Sequence, residues 1–208
     1  MRDSPGISTN PAPTTDDRGK ATRLALMEAT LAQLTERGVL TGLKLREVAE
    51  AVGVTSPNIY HHFESRQRLL REALTHQIDL LTAPIGMAVQ GSFVEWRTAI
   101  FDLIASNRPL RMTALLALDD DPDYEPLELW PLAQEHYQRL IDEGELPDDF
   151  DVLAAHVLSL TMAMGLSIYG GAVARQVGIS EVELVARTRT MFVALMESLV
   201  NSLDEPDA

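Results

Sequence analysis

Residues 44–63 read KLREVAEAVGVTSPNIYHHF. Leu45, Val48, Ala49 and Val52 stand at i, i+3, i+4 and i+7, the apolar stripe of a short helix. Gly53 is placed to stop that helix, since a residue without Cβ enters the left-handed region at little cost. Thr55 is positioned to cap a second helix through its hydroxyl. Pro57 falls in the first turn, where its missing N–H is not needed. Ile59 and Phe63, four residues apart, give the second helix a buried side. Two short helices joined by a tight turn, with a longer helix upstream, form a helix-turn-helix unit. In such a unit the second helix enters the major groove with its N-terminal residues leading. Its exposed side offers Thr55, Ser56, Asn58, Tyr60, His61 and His62, groups suited to phosphate oxygens and base edges. Lys44 and Arg46 precede them, Arg66, Arg68 and Arg71 follow, and Arg18, Lys20 and Arg23 lie upstream.

The pattern is helical on both sides of this stretch. From Ala21, Leu24, Met27, Leu31 and Leu34 recur at spacings of three and four, and Gly38 is placed to end the run. Ser65 can cap a fourth helix reaching about Leu81. Further helices are expected at 92–106, 108–119, 126–143, 150–175 and 180–203. No segment alternates apolar and polar residues long enough for a sheet, and no solenoid period is visible. The chain is expected to be all-α. Residues 1–17, rich in Ser, Thr, Pro and Asp, have almost nothing to bury and read as a flexible tail.

The 208 residues carry a formal charge of −14, which is unevenly spread. Between Asp17 and Thr75 there are nine Lys/Arg against seven Asp/Glu; from His76 onward there are seven Arg, no Lys and 22 Asp/Glu. A polyanion would be repelled by the second part and tolerated by the first. Hydrophobic residues make up 46%, enough for a core and too many for a disordered chain. The absence of Cys excludes disulfides, thiolate metal sites and a cysteine nucleophile. The N-terminus has no apolar run of the secretory kind, so a cytoplasmic location is expected.

Gly38, Leu45-Arg46-Glu47-Val48-Ala49, Gly53-Val54-Thr55, Ile59-Tyr60-His61-His62-Phe63, Arg66 and Leu69-Leu70 together resemble the TetR family of bacterial transcriptional regulators. The resemblance covers about residues 20–75. It implies an all-α homodimer with an N-terminal DNA-binding domain and a C-terminal domain that holds an inducer pocket. Carried over by position, Thr55, Ser56, Pro57, Asn58, Tyr60 and His62 would face DNA, and Arg46 would reach a base from the first short helix. Arg66 stands where the family usually has a phosphate-gripping Lys, and it adds a bidentate fork. Lys44 stands where a capping Thr is common; it supplies charge but no cap. The implied division is a tail at 1–18, a helix-turn-helix DNA-binding domain at 19–66, a helical effector-binding and dimerisation domain at 67–203, and a tail at 204–208. The implied function is a repressor released from a pseudo-palindromic operator by a small molecule. An activator of the same fold and a helical ligand-binding protein without DNA are the alternatives.

Beyond residue 75 no family pattern helps. Trp96, Phe101, Arg111, Trp130, Tyr137, His156, Met162 and Tyr169 combine apolar bulk with a few polar groups, as a small-molecule pocket would, although for any one of them simple core packing is the favoured reading. Arg111 could meet a ligand carboxylate or one of the many acidic side chains. Residues 152–174 contain one His and no Asp, Glu, Lys or Arg, long enough to cross a bilayer. Their richness in Ala, Gly, Ser and Thr favours instead a helix buried by its own domain and a second subunit, together with 180–203, so no membrane partner is expected. The acidic run Asp119–Glu125 lacks the Gly and Glu of a calcium loop, and His61 and His62 diverge by about 100° on a helix. Neither metal nor cofactor is expected. No Gly-rich phosphate loop or serine elbow suggests an enzyme.

Overall fold

A computed structural model describes residues 14–87 and 91–201; the expected tail segments 1–13 and 204–208 lie outside them. The chain divides into two compact units between Ala73 and Leu74. That division falls within a helix, later than the boundary expected after Arg66. Among the described residues there is no strand.

The first unit contains α1 (Thr15–Arg37), α2 (Leu45–Val52), α3 (Ser56–Phe63) and the start of α4 (Arg66–Met87). The first helix begins earlier than expected. Thr14 and Asp17 form a capping box, the Thr14 side chain accepting from the Asp17 N–H and the Asp17 carboxylate from the Thr14 N–H. Residues 15–18, expected in the tail, are therefore its opening turn. The buried stripe of α1 is also rotated from the expected one: Leu26, Thr30, Leu31 and Leu34 are buried, whereas Leu24 is exposed. Thr30 can lie in this core because its hydroxyl donates to the Leu26 carbonyl. Leu43, Val48, Ala49, Ile59, Phe63 and Leu69 complete the core.

Lys44 cannot cap α2. Its own N–H instead donates to Gln33 Oε1 at 2.7 Å, so a side chain of α1 anchors the helix start. Gly53 takes φ 74°, ψ 27° and ends α2. Contrary to expectation, the Thr55 hydroxyl does not cap α3; it lies 3.4 Å from Asn58 Oδ1 and remains at the surface. Glu64, between α3 and α4, sits at φ 62°, in a turn closed by a 2.6 Å bond from the Ser65 N–H to the Phe63 carbonyl. Ser65 then accepts from the Arg68 N–H and opens α4.

The second unit holds the rest of α4, then α5 (Phe93–Ser106), a 3₁₀ segment (Arg108–Thr113), α6 (Ala114–Leu118), α7 (Trp130–Asp142), α8 (Val152–Val177) and α9 (Glu181–Asn201). The single helix expected over 108–119 is thus split. Pro109 sits in the first turn of the 3₁₀ segment, and the Asn107 side chain accepts from the Leu110 N–H and favours the tighter winding there. Phe93, Trp96, Tyr137, Leu140, Phe150 and Phe192 dominate the core. Helix α8 packs on α5 and α9 through a seam of small residues, Ala155, Ser159, Ala163, Gly170 and Ala174. Its other side leaves Leu158, Met162, Tyr169 and Val173 exposed, and α9 exposes Val182, Met191 and Leu195. Among the described residues α8 is also the one helix long and apolar enough to cross a membrane.

Candidate functional site: nucleic-acid interface and ligand cavity

In the first unit, Ile59 and Phe63 are fully buried and turn the opposite side of α3 outward. Thr55, Pro57, Asn58, Tyr60 and His61 are exposed, and Ser56 and His62 are partly so. Tyr60, half exposed, spends none of that side on the core. His62 is held from beneath: Arg23 donates to its carbonyl and stacks over the Phe63 ring at 4.3 Å. Burial, followed by the charges of His61 and Arg23, lowers the His62 pKa. The ring is therefore neutral at pH 7 and can offer a hydrogen bond but no charge.

The basic residues around α3 fall into two groups. Arg23 pairs with Glu72, Arg37 with Glu47, Lys44 with Glu47 at 3.3 Å, Arg46 with Glu50 at 2.8 Å, and Arg68 with both Glu64 and Glu72. Arg66 has no carboxylate partner among the described residues and is exposed at the N-terminus of α4, one turn past Phe63. Its Nη2 lies about 3.5 Å from where a Cβ on Gly42 would stand. The modest positive balance of this unit is thus mostly neutralised locally, which leaves Arg66, at the start of α4, as an exposed cation with no carboxylate partner among the described residues.

The second unit encloses a cavity of about 620 Å³, within the range of small-molecule sites. Ile100, Leu103, Leu110, Leu129, Leu160 and Met164 supply apolar walls, and Trp96, Trp130 and His156 also line it. Tyr137 is buried behind His156, to which its hydroxyl donates at 2.9 Å. The other four expected residues do not line the cavity. On α8, cavity-facing His156, Leu160 and Met164 recur every four residues, which leaves Met162 and Tyr169 about 220–240° around the helix from His156. Arg111 falls between Leu110 and Thr113, the pair that the three-residue turn of the 3₁₀ segment brings to the cavity. Phe101 is turned onto Phe192 of α9, with ring centroids 4.5 Å apart, and belongs to the core.

Arg97 was not anticipated as a cavity residue. Only 1% exposed, it lines the cavity beside Trp96, whose ring lies 5.1 Å from its guanidinium carbon. Its Nε donates to Ser159 Oγ at 2.7 Å, Nη1 approaches His156 Nδ1 at 3.2 Å, and Nη2 reaches the His156 carbonyl at 3.5 Å. Both Tyr137 and Arg97 direct donors at Nδ1, so the ring proton is assigned to Nε2 and His156 is neutral. Burial, reinforced by the Arg97 charge, lowers the His156 pKa to about 4. Burial likewise raises Tyr137 to about 12 and lowers Arg97. The legible signal was register: Phe93, Arg97, Ile100 and Ile104 stand at i, i+4, i+7 and i+11, an apolar stripe with one cation in it.

Residues 26–73 match the model of bacterial regulatory proteins of the tetR family. The HTH-type transcriptional repressor KstR2 of Rhodococcus jostii is 34% identical over 70 residues, 33% of this chain and 34% of the relative. The chain thus spans about a third of the length of the curated relatives it matches. Among solved structures, the fatty acid degradation regulator FadR from Bacillus halodurans aligns with a TM-score of 0.61 and 16% identity, covering 83% of this chain and 94% of that one. A TetR transcription regulator from Haloarcula marismortui aligns at 0.58 and 19% identity, covering 85% and 98%. At these identities the structural likeness establishes the fold: a helix-turn-helix unit followed by a helical domain. The family likeness is carried by the helix-turn-helix unit, residues 26–73.

Proposed function

We propose that this protein is a DNA-binding transcriptional regulator, a repressor that leaves a pseudo-palindromic operator when a small molecule occupies the cavity of its second unit. The observation that carries the reading is the outward side of α3. Thr55, Asn58 and Tyr60 are exposed there without a packing role, and Arg66, which follows α3, has no carboxylate partner among the described residues. In this reading Thr55, Ser56, Pro57, Asn58, Tyr60 and His61 meet base edges and phosphates from the recognition helix, His62 contributes a neutral ring, and Arg66 grips phosphate. Lys44 and Arg46 approach the backbone from α2, after exchanging Glu47 and Glu50 for phosphate.

A homodimer brings two such helices into successive major grooves, about 34–36 Å apart. The exposed apolar residues of α8 and α9 are the surface that a second copy covers, as in a four-helix interface. Ligand occupancy shifts the population toward a conformer with the wrong spacing, and α4 is the coupling element because it carries both Arg66 and the cavity-lining Ile78. The repressor name of the KstR2 relatives supports the sign of regulation. The protein acts in the cytoplasm and is a regulator rather than an enzyme.

Selection from a random DNA pool with the full chain tests this directly. A palindromic consensus is expected, with Tyr60→Ala binding it more weakly while keeping its helical circular dichroism. Recovery of no consensus, or full affinity in the folded variant, overturns the reading.

A further inference from the structure

Arg97 is a buried cation whose partners among the described residues are all neutral. Its three acceptors are a serine hydroxyl, a histidine ring nitrogen and a backbone carbonyl, and a tryptophan face lies alongside. A guanidinium has five N–H donors, so two remain for something else. No carboxylate pairs with it among the described residues, although the chain holds 31 Asp and Glu. Such a group is costly to bury unless an anion completes it. The cavity wall is where that anion would come from, because Arg97 lines it.

We infer that the cavity binds an apolar molecule bearing a single carboxylate, which forms a bidentate pair with Arg97. The inference rests on the reading of the cavity as a small-molecule site. A planar fork matches a carboxylate, and the adjoining walls of Ile100, Leu103, Leu160 and Met164 take an apolar body. The cavity is also lined by Asp120, Asp121, Glu125 and Glu128. These carboxylates tolerate a ligand whose one charge is sequestered at Arg97 and disfavour one that trails several phosphates past them. The site therefore selects a free acid over its phosphate-bearing thioester conjugate, and over its neutral amide or ester.

The chain reports occupancy by itself: its two tryptophans, Trp96 and Trp130, both line the cavity. Tryptophan fluorescence of the full chain is followed during titration with saturated monocarboxylic acids from octanoate to hexadecanoate, below their micelle thresholds. Dodecanamide and dodecanoyl-coenzyme A serve as the neutral and polyanionic counterparts. At least one acid is expected to bind ten-fold or more tightly than either counterpart. Arg97→Met is expected to weaken that acid at least 30-fold while leaving the amide within three-fold. If Arg97→Met does not fold, the acid-to-amide ratio on the unaltered protein decides the matter alone. No response to any acid, equal binding of acid and amide, or tighter binding of the thioester overturns the inference. The effector reading is scored separately, by release from the selected DNA. An acid that binds without releasing DNA leaves this inference standing and removes the effector role, whereas release by the amide alone does the reverse.

Discussion

Replacing Arg66 by Ala should lower DNA affinity in a way that depends strongly on salt. Arg66 is exposed at the start of α4 and has no carboxylate partner among the described residues, so no internal ion pair must break before it meets a phosphate. Each phosphate contact on duplex DNA contributes a slope of about 0.9 to the dependence of log K on log salt. A dimer loses two contacts, so the slope should fall by about 1.8. The same arithmetic gives about 0.9 decade per contact at 0.1 M salt, or roughly 60-fold weaker binding for the pair, and little change on extrapolation to 1 M. Fluorescence anisotropy of a labelled operator between 0.05 and about 0.4 M salt reads both quantities. Glu50→Gln provides the contrast: freeing Arg46 from its partner should raise affinity several-fold at low salt. An unchanged slope in a folded Arg66→Ala protein would refute the assignment of Arg66 to phosphate.

Three further outcomes concern stability. Phe101→Ala should cost about 3–5 kcal/mol in denaturant unfolding, because Phe101 is 1% exposed and stacked on Phe192; a loss below about 1 kcal/mol would show that it is not core. Glu64→Gly should stabilise by about 1 kcal/mol, since φ 62° disfavours a side chain and the exposed pair with Arg68 contributes little; destabilisation would count against strain at that turn. His156 has a folded pKa of about 4, below its ordinary 6.5, so the unfolded chain binds its proton first as pH falls. Its contribution to stability is full above about pH 6.5 and is lost toward pH 4, on the order of 2 kcal/mol. His156→Gln should remove that part of the slope from unfolding curves between pH 7 and 4, and a superimposable slope would contradict the neutral, buried assignment.

The helix-turn-helix unit was legible because each of its elements carries a local cue. The Leu45–Val48–Ala49–Val52 stripe, Gly53, Pro57 and the Ile59–Phe63 pair act within a few residues of themselves, and the structure places them accordingly. What was misread depended on distant partners. Thr55 looked like a cap, yet its hydroxyl stays at the surface, and the α2 start that seemed uncapped is anchored by Gln33 from another helix. The cavity was read by residue type, which finds large aromatics but not register. Trp96, Trp130 and His156 line the cavity, whereas Met162 and Tyr169 lie on the exposed side of α8; that helix is apolar on all sides, so periodicity could not say which side faces inward. Arg97 was passed over because an Arg in a helix is ordinarily a solvated charge, and only its place in the Phe93–Ile104 stripe distinguishes it.

The central claim is that two copies of this chain present α3 to adjacent major grooves of one duplex. Sedimentation of the full chain with a labelled copy of the selected DNA, together with footprinting of the same complex, measures the number of chains per site and the spacing of protected half-sites. Chains should bind in pairs, with half-site centres about 34–36 Å, or one helical turn, apart. A single chain per site, or protection without a repeat at that spacing, would contradict the account.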